Sequence, residues 1–221
     1  MGNMRPNFQP VTYRGPDGTG STIPTVDFYN SYEAGDLRAV DREGWFYSSY
    51  YTNGSGELFD LGSPFIFKHF NVTANGTFGV PGTAKDNLNV PIFRFAEVLL
   101  IYAEAQNEAN SGPNQAAVDA LKRIRDRAEL TTPALGAFDQ TSFREAVWKE
   151  RWHELAFEMK TWFDMVRLRK VYNTNTDSFD DFVGHVNLNS NQALQEKPLL
   201  FPIPGPELIN NPNLTPQNPG Y

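Results

Sequence analysis

The apolar periodicity of this chain changes at Asn89-Val90-Pro91, and that change limits what the chain can fold into more than any other feature. After Pro91 the apolar residues recur at helical spacing. From Ile92 to Asn110, Arg94, Glu97, Glu104 and Glu108 share one stripe, and Phe95, Val98, Leu99, Tyr102 and Ala103 occupy the other faces. That spacing predicts a helix wet on a narrow stripe and buried on most sides. Ser111-Gly112-Pro113 stops it, with Pro113 suited to the first turn of the next helix. This second helix places Ala117, Leu121, Ile124 and Ala128 inward. So short a link between two helices means an antiparallel hairpin.

A third helix is expected from Thr141-Ser142, with Ser142 and Glu145 at capping-box spacing and Trp148, Trp152 and Leu155 as its apolar seam. Trp162 to Val171 predicts a fourth. The polar stretch 173–195 is expected to be loop, and the tail from Pro198, with seven prolines in 24 residues, to be extended. Before Pro91 no helical period is sustained. Phe65 to Val72 reads as a strand, and Asn75-Gly76 is placed to turn it back into Thr77 to Val80 as a hairpin. The expected fold class is therefore mainly α: stacked antiparallel helical hairpins, long irregular loops and a short β-hairpin. The two hairpin starts, Ile92 and Ser142, lie 50 residues apart, longer than the ~34 of a tetratricopeptide unit. Periodicity alone stops at stacked hairpins.

Composition removes several functions. The net charge of −7 counts against nucleic acid, whose phosphates require a clustered basic surface. No cysteine is present, which excludes thiol nucleophiles, disulfides and cysteine metal sites. No apolar run approaches the ~20 residues of a membrane helix, and no signal-peptide core follows Met1-Gly2-Asn3.

Catalytic patterns begin and then fail. His153-Glu154 opens H-E-x-x-H, but position 157 is Phe157. Glu150-Arg151-Trp152-His153 is an E-x-x-H, and the second copy that a di-iron bundle needs is missing. No metal or cofactor is expected. Glu150, Glu154 and Glu158 form a like-charge column at i, i+4 and i+8, unfavourable unless cations face it. The expectation is an inter-helix ion-pair ladder of Glu150, Arg151, Glu154 and Glu158 with Arg125 and Arg167, and Arg127 as a further cation. A glycoside-hydrolysing pair would need separated carboxylates across a cleft, which one interior helix rarely provides.

The remaining feature is aromatic. Trp45-Phe46-Tyr47-Ser48-Ser49-Tyr50-Tyr51 carries five rings in seven positions beside turn-forming polar residues. Sugars need an apolar face to stack on and hydrogen-bonding groups for their hydroxyls, and Trp45, Tyr47, Tyr50 and Tyr51 would offer both. The competing reading makes Trp45, Phe46 and Tyr50 anchors that pack the loops onto the helices.

Several ordered motifs carry a resemblance. Asn89-Val90-Pro91-Ile92-Phe93-Arg94-Phe95-Ala96-Glu97-Val98-Leu99-Leu100-Ile101-Tyr102-Ala103-Glu104-Ala105 resembles the "RyAEvlLmyAEA" helix of the SusD/RagB family. Glu150-Arg151-Trp152-His153-Glu154-Leu155-Ala156-Phe157-Glu158 is similar to its "ERr-ELafE", and Trp162-Phe163-Asp164-Met165-Val166-Arg167 to its "RwfDLvR". Phe201-Pro202-Ile203-Pro204 and Gln217-Asn218-Pro219-Gly220-Tyr221 resemble the family's closing "fPIP…QNPGY", and Asp36-Leu37-Arg38 its D-x-R. Trp152, Met159 and Thr161 depart from the usual residues, and Pro216 is wedged into the closing run.

The resemblance covers Asp36 to Tyr221 and implies a tetratricopeptide-like C-terminal region. It divides the chain into an extended segment 1–35 and a domain 36–221. That domain is loop- and hairpin-rich over 36–90, helical over 91–172, and loop plus Pro-rich tail over 173–221. It also implies a non-catalytic, lipid-anchored protein facing outward on the outer membrane. Such a protein binds an oligosaccharide and delivers it to a SusC-like TonB-dependent transporter. The alternative is a scaffold domain that packs on a further, N-terminal half or on the transporter without touching glycan.

Overall fold

The computed structural model describes residues 24–51, 58–77, 89, 91–187 and 191–221. The chain divides into two compact units, Met1–Met159 and Lys160–Tyr221.

In the first unit α1 (Val26–Asn30) is a single turn capped by Thr25, whose hydroxyl accepts from Phe28 N. The expected extended segment 1–35 is thus helical at this point. A 3-10 turn at Leu37–Ala39 follows, with Asp36 as its cap. Strands β1 (Phe46–Tyr51) and β2 (Leu58–Ile66) then pair antiparallel, in register Phe46↔Ile66 and Tyr50↔Phe59, with an irregularity between Tyr47 and Ser49. The hairpin therefore lies earlier than expected. Phe65 and Ile66 end its second strand, and Asn75 closes the short helix α2 (Val72–Asn75) rather than making a β-turn. The expected return strand's residues 78–80 lie outside the described residues. Asn71 explains the change: its side chain accepts from Ala74 N and starts a helical turn where strand was expected.

Helices α3 (Phe95–Ala109), α4 (Gln115–Arg127) and α5 (Gln140–Glu154) form the main core. Leu100 and Ala103 of α3 meet Ala117, Val118, Ala120, Leu121 and Ile124 of α4 and Phe143, Val147 and Leu155 at α5. Alanines on both partners let α3 and α4 approach closely, while Phe143 fills the space beneath α5 and meets Phe138 edge-on at 5.2 Å. α4 is capped by Asn114, so Pro113 lies just before the helix and not in its first turn. The capping box of α5 is Asp139 with Ser142, one turn earlier than the expected Ser142 with Glu145.

Two expected faces differ in part, although Ala103 of α3 and Leu155 at the end of α5 are buried as expected. On α3, Glu97 is buried, and Phe95, Val98, Ile101 and Tyr102 are exposed. On α5 the buried seam is Phe143, Val147, Glu150, Arg151, His153 and Glu154, with Trp148 and Trp152 only half-buried.

A second apolar cluster joins Tyr47, Phe65, Phe67 and Phe70 at the base of the hairpin. Gly44 makes this possible. A Cβ there would lie 2.2 Å from the Arg38 carbonyl oxygen, which accepts a 2.7 Å bond from Trp45 N.

The second unit holds α6 (Thr161–Leu168), ended by Arg169 in the left-handed region. Strands β3 (Lys170–Asn173) and β4 (Ser178–Asp181) pair as a hairpin, and β5 (Val186–Asn187) pairs with β6 (Gln192–Ala193). These ladders occupy the stretch expected to be loop. In the Pro-rich tail, α7 (Gly205–Asn210) forms with a proline in its first turn, correcting the expectation of extended chain only. Gln217 holds the tail by donating to Ile203 O and accepting from Ile203 N. Lys197 lies 4.2 Å over the Tyr221 ring.

Candidate functional site

The chemistry of the first unit is concentrated where α5 ends. Glu150 and Glu154 lie one turn apart on the buried face of α5, and Glu158 follows in the turn beyond it. Arg38 donates to Glu150 at 2.5 Å and to Glu154 at 3.1 Å, while its other nitrogens are held by Asp36. Arg94, preceding α3, donates to Glu154 at 2.5 Å, and its Nε is shared between the two carboxylate oxygens of Glu158 at 2.8 and 2.9 Å. Arg127 also donates to Glu154, and Arg125 joins Glu150 to Glu33. Lys68 meets Glu158 at 2.5 Å. The like-charge column is held by cations arriving from four different segments.

These pairings set the protonation states. Burial alone would raise Glu154, but Arg94, Arg127 and Arg38 together hold its carboxyl below the ordinary value. Glu158 is likewise lowered: Arg94 and Lys68 overcome its burial. For Glu150 burial wins over Arg38 and Arg125, and the carboxyl is raised. Burial brings the Lys68 ammonium down to about 8, against the pull of Glu158.

The same segments cap the C-terminus of α5, whose last carbonyls have no intrahelical donor. Trp45 Nε1 and the Tyr32 hydroxyl donate to His153 O. Lys68 donates to the carbonyls of Glu154 and Ala156, Arg94 to Glu154 O, and His69 Nε2 to Phe157 O at 2.9 Å. Cations at a helix C-terminus also oppose its dipole. Phe157 and Met159 both take the left-handed conformation, which turns the chain sharply here.

The expected ladder is thus partly regrouped. Glu150, Glu154, Glu158 and Arg125 come together. Arg151 instead lies 4.0 Å from Glu97, and Arg167 pairs with Asp164 in the second unit at 2.8 Å. Arg38, Arg94 and Lys68 were not among the expected ladder cations. Arg38 and Arg94 stand inside quoted motifs, so a column of three glutamates with too few local cations was the signal that could have found them.

The aromatic candidates also divide. Tyr47 is 4% exposed and packed against Phe65 and Phe67, with Arg42 5.2 Å from its ring centroid. Trp45 is half-buried; its indole N–H is bonded to His153 O, and Lys68 lies 4.1 Å over its ring. Both positions serve packing. Tyr50 and Tyr51 sit at the far end of β1, paired in register with Phe59 and Leu58, beside segment 52–57. Their side chains lie outside the described residues.

A cleft of about 470 Å³ opens beside the ladder, lined by Glu33, Arg38, Arg125, Lys149, Glu150 and His153 among others. Among the described residues no three His, Cys, Asp or Glu side chains gather as a metal site, and no helix is long and apolar enough to cross a membrane.

A mainly α scaffold of antiparallel helical hairpins, with a glutamate column at the third core helix answered by cations from the 3-10 turn, the end of the β-hairpin, the start of α3 and α4, defines the class. Residues 24–221 match the SusD family, and the chain belongs to that family. It is 33% identical over 230 residues to SusD-like protein P2 of Formosa agariphila, an overlap covering 96% of this chain and 42% of that protein. A SusD superfamily protein from Parabacteroides distasonis, of known crystal structure, superposes with a TM-score of 0.79 at 36% identity, covering 100% of this chain and 47% of that one. Surface glycan-binding protein A from Bacteroides uniformis shares the fold, with a TM-score of 0.60 at 20% identity. The chain spans less than half the length of these relatives.

Proposed function

We propose that this chain is part of a non-catalytic protein that captures an oligosaccharide at the cell surface and passes it to a SusC-like TonB-dependent transporter. Membership of the SusD family is the observation that carries this reading. The name of the Bacteroides uniformis neighbour, a surface glycan-binding protein, points the same way. Within the chain, the paired state of Glu150, Glu154 and Glu158 supports binding rather than hydrolysis. A general acid and a nucleophile must face a substrate across a cleft; Glu154 and Glu158 face arginines in the interior, and Glu150, which alone of the three lines the cleft, is paired with Arg38 and Arg125. The whole protein would be lipid-anchored and outward-facing on the outer membrane.

The glycan contact on this chain is assigned to the hairpin end, Tyr50 and Tyr51 with segment 52–57, because Trp45 and Tyr47 are engaged in packing. A glycan-array screen of the chain beside Tyr50→Ala and Tyr51→Ala, with circular dichroism to confirm folding, tests it. Saturable binding that falls at least about tenfold in either variant, a loss on the order of one stacked ring or more, is the expected result. Silence from a folded wild-type chain would move sugar recognition off this chain. The alternative, a scaffold domain that never meets glycan, is favoured by one observation: the exposed apolar face of α3.

A further inference from the structure

We propose that Asp41 positions the end of the β-hairpin by fixing where β1 resumes its pairing with β2; the function of that end rests on the glycan reading above. The pairing of the two strands is interrupted at one place. Tyr47 stands opposite Phe65 and Ser49 opposite Asp60, so Ser48 alone faces residues 61–64 of β2. The sequence explains the interruption. Pro64 has no N–H to continue the ladder, and Gly62 takes a φ of +67°, which glycine adopts at no steric cost. Irregularities of this kind bend a strand and re-aim the side chains beyond them. Tyr50 and Tyr51 lie just beyond this one on β1.

At the interruption β1 is held from outside the sheet. Asp41 Oδ1 accepts from Ser48 N at 2.6 Å and from the Ser48 hydroxyl at 3.1 Å. The carboxylate is itself placed. Arg42 N donates to Phe46 O at 2.9 Å, folding its segment back along β1, and Arg42 Nε lies 3.9 Å from Asp41 Oδ2. That guanidinium is anchored in turn, donating to Thr77 O at 2.8 Å and lying over the Tyr47 ring. The surplus of residues on β2 is slack, so the pairs before the interruption do not dictate those after it. Register is weakly specified where glycine and polar residues interrupt a strand. Without the carboxylate, the Ser48 amide turns to a β2 carbonyl, draws the slack into the ladder and slips residues 58–60 along β1. A slip changes which residues stand beside Tyr50 and Tyr51, in this register Phe59 and Leu58, and with them the surface the hairpin end offers to a sugar. Asp41 is thus a positioning residue and needs no contact with glycan.

The chain has no cysteine, so the double substitution Ser49→Cys with Asp60→Cys reports the register directly. In a glutathione buffer this pair should close to a disulfide. Adding Asp41→Ala should make closure at least about tenfold less favourable, the loss expected for a charge-assisted hydrogen bond. Asp41→Asn, which keeps the Oδ1 acceptor, should restore it. Asp41 is exposed, so the circular dichroism of these variants should match that of the parent. Equal closure with and without Asp41→Ala overturns the proposal, as does a failure of Asp41→Asn to restore it. On a glycan captured by the wild-type chain, Asp41→Ala should weaken binding at least about tenfold and Asp41→Asn should recover it. Full affinity in Asp41→Ala overturns the positioning role. A folded wild-type chain that captures no glycan defeats the functional reading alone, and disulfide closure still decides whether Asp41 sets the register.

Discussion

Arg38 shows most clearly how single residues hold this fold. It is buried, contacts three carboxylates, and joins a 3-10 turn to α5 across more than a hundred residues of sequence. Removing one partner from a buried ion pair leaves an uncompensated charge, at a cost of about 3–5 kcal/mol. Arg38→Ala is therefore expected to lower unfolding free energy by that order, read by urea denaturation. Glu154→Ala, at 0% exposure and with three guanidiniums around it, should fall in the same range. A loss under about 1 kcal/mol, the value of an exposed pair, would contradict the buried network.

The same residues set a pH response. Glu154 and Glu158 are held below the ordinary glutamate value of 4.5, so an unfolded chain takes up protons on them first. Their contribution is complete above that value and is lost as pH falls through their folded range. Glu150 is raised and acts in the opposite sense: the folded chain takes up its proton first. Glu150→Gln should therefore steepen the loss of stability in acid, and Glu154→Gln should flatten it. Denaturation midpoints measured from pH 6 down to pH 3 check both signs.

At the scale of elements, helix ends and one glycine decide the register of the first unit. Asp139 accepts from Ser142 N at 2.7 Å, and Ser142 Oγ accepts from Asp139 N. Asp139→Ala should cost about 1 kcal/mol, whereas Glu145→Ala, at the position expected to complete the box, should leave that cap intact. Gly44→Ala is expected to be more damaging, because its methyl would collide with the Arg38 backbone and part the hairpin from the turn that places Arg38. Thermal unfolding of the three variants gives the order directly. The elements also show why some expectations moved. A stripe of charge on α3 reads as a wet face when only neighbours three and four residues away are considered. Glu97 is buried with Arg151 of α5 4.0 Å away, a partner that no local period contains. Likewise the strands at 170–181 were hidden by Asn, Asp and Thr, whose turn preference outweighs strand propensity until cross-strand pairs form. Tyr172 is paired with Phe179, and Asn173 donates to Asp180.

At the scale of the whole molecule, the described residues show a cleft beside the ladder and an exposed apolar face on α3. The glycan binding proposed for the hairpin end should be insensitive to chelators, because no metal takes part in stacking and hydroxyl recognition. A binding isotherm repeated with excess EDTA checks this, and a loss of binding would mean that an ion bridges sugar to protein.

Helical hairpins, their order and the membership of the family were legible from the sequence alone, because caps, period and motif words are local in the chain. The glutamate column was legible for the same reason, since i, i+4 and i+8 share a helix face whatever surrounds them. Which cations answer it was not: Arg38, Lys68 and Arg94 reach it from segments 60 to 116 residues away. Nor could the aromatic run be sorted. Trp45 and Tyr47 became packing residues because a helix end needed its carbonyl satisfied and a guanidinium needed a ring to lie on. Burial and long-range charge pairing are properties of the packed chain, and only tertiary structure decided them.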